Sequence, residues 1–221
     1  MIEYPHIEYW NKGILGAPVI GFDKLDGQNL RFEWSKKRGW YKFGSRTSMF
    51  DRTHPEFGKS IDVFINKYEA DLNKVFREKK YRDIRGFIAF CEWCGPNSAY
   101  GLHDPTDILD TILLDIMPTD RDGTFIEPRE FVKDFGHLDI PKVIYDGNLN
   151  KQFVKDVREG KYQVKEGVMC KGVQQNKGGR RVWIVKTKTN AWLDGLRNRC
   201  GEAALLEELN GDKTLLDEIK V

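Results

Sequence analysis

From Ser60 to Phe76 the apolar residues Ile61, Phe64, Ile65, Tyr68, Leu72, Val75 and Phe76 recur at helical spacing with mostly charged residues between them. That is the pattern of a long helix with one buried face, and strands must supply the surface it covers. The stretch from Gln28 to Ser45 alternates Leu30, Phe32 and Trp34 toward one side and turns at Lys36-Lys37-Arg38-Gly39, which predicts a hairpin. Gly86 to Trp93 and Thr111 to Met117 are short apolar runs bounded by turn formers and read as buried strands, with a loop from Gly95 to Asp107 between them. Pro128 and Gly136 bracket a short helix. A strand around Val143 to Tyr145, a helix from Asn150 to Glu159 and strands over 165–173 and 180–188 follow. From Asn190 onward the chain reads as helical, with breaks at Gly195, Gly201 and Gly211. Strands and helices interleave without a βαβ rhythm or a glycine-rich phosphate loop. The predicted class is therefore α+β, with mixed and antiparallel sheets and flanking helices, rather than a doubly wound sheet.

With 40% apolar and 32% charged residues, the 221-residue chain is that of a globular protein built on one domain. No run approaches the roughly 20 apolar residues that span a bilayer. The N-terminal MIEYPHIEYW lacks an export pattern, so the expectation is a cytoplasmic monomer with reduced cysteines. Cys91 and Cys94 form a C-x-x-C pair, but no second pair or nearby histidine completes a zinc site, and Cys91 reads as a small core residue. His6, His54, His103 and His137 fit no ligand spacing, and the loop pair His103-Asp104 is a candidate for substrate contact. Net charge is +2, yet residues 200–221 hold six acids against two lysines, leaving about +6 on residues 1–199. Two basic clusters stand out: Lys36, Lys37, Arg38, Lys42 and Arg46, then Lys171, Lys177, Arg180, Arg181, Lys186 and Lys188. Either is a solvated hairpin face or a surface for phosphate. Trp183 and Trp192 read as core residues.

The chemistry gathers on Lys24-Leu25-Asp26-Gly27-Gln28-Asn29, where a lysine precedes a turn-prone Asp-Gly pair between two strand-like runs. An exposed, oriented amine is what a nucleophilic lysine requires, but at its usual pKa of about 10.4 it is protonated at neutral pH. Cationic neighbours can lower that pKa. Lys186 and Lys188 alternate on one strand face, and with Arg46 they are candidates both for this task and for binding phosphate. Asp26 shares a face with Lys24 in an extended segment, where it can orient the amine or assist a metal.

The ordered set of Lys24 to Asn29, Ser45-Arg46, Phe90-Cys91-Glu92, Leu114-Asp115-Ile116, Glu166-Gly167-Val168 and Lys186-Thr187-Lys188 resembles motifs I, Ia, III, IIIa, IV and V of the covalent nucleotidyltransferases. These are the ATP-dependent polynucleotide ligases and mRNA capping enzymes. Asn29, Asp115-Ile116 and the phrase from Ile140-Pro141 to Tyr145-Asp146-Gly147 resemble the RNA ligase branch. The resemblance spans about residues 20 to 190 and implies an ATP-grasp-like domain with a nucleotide groove between its sheets. It implies that Lys24 attacks the α-phosphate of ATP, that AMP passes to a 5′-phosphate end, and that a 3′-hydroxyl displaces AMP. By matching position, Asn29 and Arg46 would contact ribose and phosphate, Glu92 would bind a ribose hydroxyl, Glu166 would hold Mg²⁺ or Mn²⁺, and Lys186 and Lys188 would grip the α-phosphate. Carboxylates suit such a metal, and amines neutralise charge on a transferring phosphoryl group.

The chain departs from the family pattern in two places. Thr111 to Leu114 offers no aromatic residue to stack on a purine, so adenine would pack on Leu or Ile or on an aromatic from elsewhere. After Lys188 only 33 residues follow, too few for the OB-fold domain of DNA ligases or the helical domain of larger RNA ligases. The expected organisation is a nucleotidyltransferase domain over 1–199 with a short helical, acidic tail over 200–221. A weak grip on duplex, an accessory protein or a preference for adenylated ends would follow. The expected partners are ATP and nucleic acid ends, with RNA favoured and DNA the alternative. A GTP-using capping enzyme and an inactive nucleotide- or nucleic-acid-binding module are the remaining readings.

Overall fold

The computed structural model describes residues 2–96, 104–120 and 124–219. Among the described residues ten strands and five α-helices occur, the expected elements in order with the short β1 and β5 unforeseen: β1 (Glu8–Tyr9), β2 (Pro18–Lys24), β3 (Gln28–Ser35), β4 (Gly39–Ser45), β5 (Met49–Phe50), α1 (Gly58–Phe76), β6 (Gly86–Cys94), β7 (Asp110–Pro118), α2 (Pro128–Phe135), β8 (Val143–Asn148), α3 (Lys151–Arg158), β9 (Gly167–Asn176), β10 (Gly179–Lys188), α4 (Asn190–Glu208) and α5 (Lys213–Ile219). One sheet has the order β1-β10-β9-β2-β8 and is mixed, because β1 runs parallel to β10. The other, β5-β4-β3-β6-β7, is antiparallel throughout.

Period-two alternation assigns each strand two jobs. On β6, Phe87, Ala89 and Cys91 pack beneath α1 and α2, while Ile88 and Phe90 join Leu114, Met169 and Ile184 in a cluster between the sheets. On β9 and β10, Val168, Cys170 and Val185 turn instead toward α3, α4 and α5. The layers are therefore helix, sheet, sheet, helix. Phe64 of α1 stacks on Phe32 at 3.9 Å, and Phe76 stacks on Phe87 at the same separation. Cys91 is buried there as a free thiol. Among the described residues no helix is long and apolar enough to cross a membrane.

Local signals explain the helix ends. Asn150 caps α3 by accepting from the Phe153 N–H, and Thr189 caps α4 by accepting from that of Trp192. Of the three expected breaks after Asn190, Gly195 stays helical, whereas Gly201 and Gly211 adopt positive φ of 84° and 75° and redirect the chain. The β9–β10 strands extend further into the basic turn than expected, to Asn176 and from Gly179.

The two sheets are joined by a buried ion pair. Lys171 of β9 donates to Asp115 of β7 at 2.7 Å and to the Leu114 carbonyl at 2.7 Å, and Tyr4 donates to the same carboxylate at 2.5 Å. Lys171 was expected in a basic surface cluster; it is 1% exposed, because its strand position faces the other sheet. Of the other cluster members, Lys177, Arg180 and Arg181 are exposed while Lys186 and Lys188 are buried, and in the first cluster Lys42 pairs with Glu33 on the hairpin face. Removing one partner of such a pair strands a charge in the interior. Lys171→Met is expected to lower unfolding free energy by about 3–5 kcal/mol in urea denaturation, and a loss below about 1 kcal/mol would contradict the inter-sheet clamp.

Candidate active site between the sheets

The Asp-Gly turn does not close a hairpin. It carries the chain out of the mixed sheet at Lys24 and into the antiparallel sheet at Gln28, so the conspicuous sequence segment forms the crossing between the two layers. Gly27 sits where backbone approaches backbone: a Cβ there would lie 2.6 Å from the Trp93 carbonyl oxygen and 2.9 Å from Glu92 Cγ. Beside this crossing opens a cavity of about 570 Å³. Lys24, Lys186 and Lys188 line it from strands of the mixed sheet and Glu166 from the bend just before β9, while Asn29 and Glu92 come from strands of the antiparallel sheet and Arg46 from the bend just after β4. Asp26 lies on its wall at the crossing, so all eight sequence-derived candidates meet in one place.

Strand register explains how residues so distant in sequence converge. Lys24 on β2 and Lys188 on β10 are both register partners of Gly167, and Asn29 on β3 is the partner of Glu92 on β6. Gly167 leaves no side chain between the two lysines, and a Cβ would lie 2.1 Å from the Thr187 carbonyl oxygen. The preceding residue, Glu166, fills that position: its Oε1 is 2.7 Å from Lys24 Nζ and 2.7 Å from Lys188 Nζ. Lys186 turns to Glu208 at 2.8 Å, and Lys188 reaches the same oxygen at 3.0 Å.

This charge arrangement corrects one expectation. The cationic neighbours do not depress the pKa of Lys24. Burial acts to lower it, but the Glu166 and Glu92 carboxylates outweigh burial and hold it above the ordinary lysine value. The depressed amine is Lys188, through burial first and the nearby charge of Lys24 as well. Glu208 stays below the usual carboxylate range because Lys188 and Lys186 outweigh the opposing effect of its burial. Glu92 is pushed up to about 7, chiefly by burial.

Three buried polar atoms of residues on the cavity wall make no hydrogen bond among the described residues: Gln28 Oε1, Asn29 Nδ2 and Glu166 Oε2. Such groups in a folded interior are met by water, an ion or a ligand. Glu166 Oε2 has the chemistry of a divalent-cation ligand. No cluster of three His, Cys, Asp or Glu side chains able to hold a metal occurs among the described residues. A single carboxylate suits Mg²⁺ or Mn²⁺ whose other ligands are phosphate and water rather than an all-protein cage.

Several wall residues carry no motif. Glu208 arrives from the second half of α4, Tyr4 and His6 from the N-terminal segment, and Phe57 from the start of α1. Trp192, expected in the core, lies on the wall with the Lys188 ammonium 3.2 Å from its ring centroid. His6 meets Asn210 at 3.0 Å near the rim, and His103 lies outside the described residues. No local signal marks Glu208; it is one of several acids near the C-terminus until the helix brings it back.

The fold matches that of solved RNA ligase structures. Structures of Naegleria gruberi RNA ligase variants with ATP and Mn and with AMP and Mn both superpose with a TM-score of 0.62, at 15% identity, covering 88% of this chain and 58% of theirs. The same ligase with PPi gives 0.60 at 16% identity, covering 90% of this chain and 61% of the ligase. At that identity the likeness is one of fold, and the chain spans about three-fifths of the length of those ligases. The RNA ligase family model matches residues 17–188, and the chain belongs to that family. No curated protein matches it.

The raised pKa of Glu92 has a stability consequence. Its folded value lies above that of an unfolded glutamate, so stability falls as pH rises from about 4.5 to about 7 and then levels off. Glu92→Gln removes that loss. The variant is expected to exceed the wild type by about 2–3 kcal/mol above about pH 7 and to equal it near pH 4 in urea unfolding. A difference that does not vary with pH would contradict the buried, half-protonated carboxyl.

Proposed function

We propose that this protein is an ATP-dependent RNA ligase that joins 3′-hydroxyl and 5′-phosphate ends through a covalent lysyl-AMP. The observation that carries this reading is the convergence of Lys24, Glu92, Glu166, Lys186 and Lys188 on one cavity large enough for a nucleotide. Lys24 Nζ attacks the α-phosphorus of ATP, an N–P bond forms, and the bond to the β-phosphate oxygen breaks to release pyrophosphate. A 5′-phosphate oxygen then attacks the same phosphorus, freeing the lysine and leaving AMP on the strand end. Finally a 3′-hydroxyl attacks the 5′-phosphate and AMP departs.

Each residue has a task in that sequence. Lys186 and Lys188 offset the charge that gathers on the transferring phosphoryl group. Glu92 and Asn29 receive the ribose, with the unpaired Asn29 Nδ2 as a donor, and Arg46 reaches phosphate. Leu114, Met169 and Phe57 offer the apolar wall for the base, which supplies the aromatic missing from the strand of Leu114. Asp26 orients the lysine amine. Glu166 would hold the divalent cation; the chemistry such an ion supplies is neutralisation of carboxylate and phosphate charge. Lys24 can act only after its proton and its tie to Glu166 are lost, since this carboxylate is what keeps the amine charged. In this reading residues 1–199 carry nucleotidyl transfer, and the acceptors are nucleic acid ends, with an accessory protein supplying further grip.

Incubation with Mg²⁺ and α-labelled ATP is expected to leave acid-stable label on the wild type. Label should be far weaker with GTP and abolished in Lys24→Ala. Undiminished labelling of that variant would refute the covalent step. Sealing of nicks with RNA at the 3′-hydroxyl side, and not of all-DNA nicks, is the expected specificity; preferential sealing of DNA would favour a DNA ligase.

A further inference from the structure

The family match ends at Lys188, yet the cavity wall does not. Residues from both chain ends close it, and they are laced to each other. Tyr9 is the register partner of Lys186 across the parallel pair β1–β10, and its hydroxyl donates to Glu208 at 3.3 Å. Asn210 binds His6 at 3.0 Å and donates to Glu8 at 3.2 Å, and Asn11 donates to Asp212 at 3.0 Å. Leu205, Leu209 and Leu215 anchor this stretch in the core, and the turn at Gly201 aims it back at the sheet. The C-terminal helices are thus fixed in place, with one acid directed inward.

We propose that Glu208 is a positioning residue for phosphoryl transfer, holding the Lys186 and Lys188 side chains aimed at the position of the α-phosphate. The proposal rests on the ligase reading above. An ammonium has three N–H donors. Lys186 gives one to Glu208, and Lys188 gives one each to Glu208 and Glu166, so both retain donors on a side that lines the cavity. Two lysines in so little solvent need a nearby counter-charge, and Glu166 is already shared between Lys188 and Lys24. Glu208 supplies it from the part of the wall that α4 closes. The Tyr9 hydroxyl fixes the carboxylate, and the Trp192 ring, 3.2 Å from Lys188 Nζ, limits where that ammonium can swing.

The test compares single-turnover label transfer from α-labelled ATP in wild type, Glu208→Ala, Glu208→Gln and the exposed neighbour Glu207→Gln. A positioning role predicts that the maximal rate falls about tenfold or more in Glu208→Ala and by less in Glu208→Gln, which keeps an acceptor oxygen. The ATP concentration for half-maximal rate should move less than about threefold, and Glu207→Gln should match the wild type. Maximal rates within about twofold of wild type in both Glu208 variants would overturn the proposal. So would tighter ATP dependence at an unchanged maximal rate, which would make the carboxylate a competitor for phosphate. A cooperative melt lost in both variants would make Glu208 a folding residue and equally overturn it. A wild type that takes no label would sink the ligase reading itself, whereas labelled wild type with unaffected variants sinks only the role of Glu208.

Discussion

One carboxylate holds the site together. Glu166 Oε1 is shared by Lys24 and Lys188 across the gap that Gly167 leaves between their strands. That pairing lets two ammonium groups lie within a few ångströms of each other in a cavity with little solvent. It also sets the resting state, because a lysine held by a carboxylate keeps its proton. In the proposed reaction Lys24 must leave Glu166, whose second oxygen is buried and unpaired.

The same principle operates one layer deeper. Lys171 and Asp115 tie the mixed sheet to the antiparallel one at the floor of the groove, with Tyr4 completing the carboxylate's bonds. Both ion networks join elements far apart in sequence; the lower one sits on strand faces that alternation directs toward the opposing sheet, and the upper one joins lysines of β2 and β10 to glutamates from the bend before β9 and from α4. The lower one fixes the distance between the layers. The upper one uses that distance, since Asn29 and Glu92 stand on one side and Lys24, Lys186 and Lys188 on the other.

Much of this was legible in the chain. The period of the Ser60–Phe76 stretch defined α1, and the alternation of Leu30, Phe32 and Trp34 defined β3, because both signals arise from one-sided burial. The eight candidate residues were found by motif, and their meeting in space follows from register that no single motif encodes. What could not be read was the sign of the electrostatics. Lys186 and Lys188 looked like neighbours that would acidify Lys24, but each is turned aside by a glutamate, one of them in a run that looked like a solvated acidic tail. Lys171 likewise looked like part of a basic surface, and its burial depends on a partner 56 residues away. Pairings of that kind are set by tertiary packing and leave no local trace.

The most direct test of the account is to locate the nucleotide on the protein. After incubation with ATP and Mg²⁺, peptide mass spectrometry is expected to find the mass of one AMP added to the peptide containing Lys24, and removable by pyrophosphate. An adduct on another residue, or none under conditions where the protein remains folded, would contradict the assignment of Lys24 as the nucleophile held by Glu166.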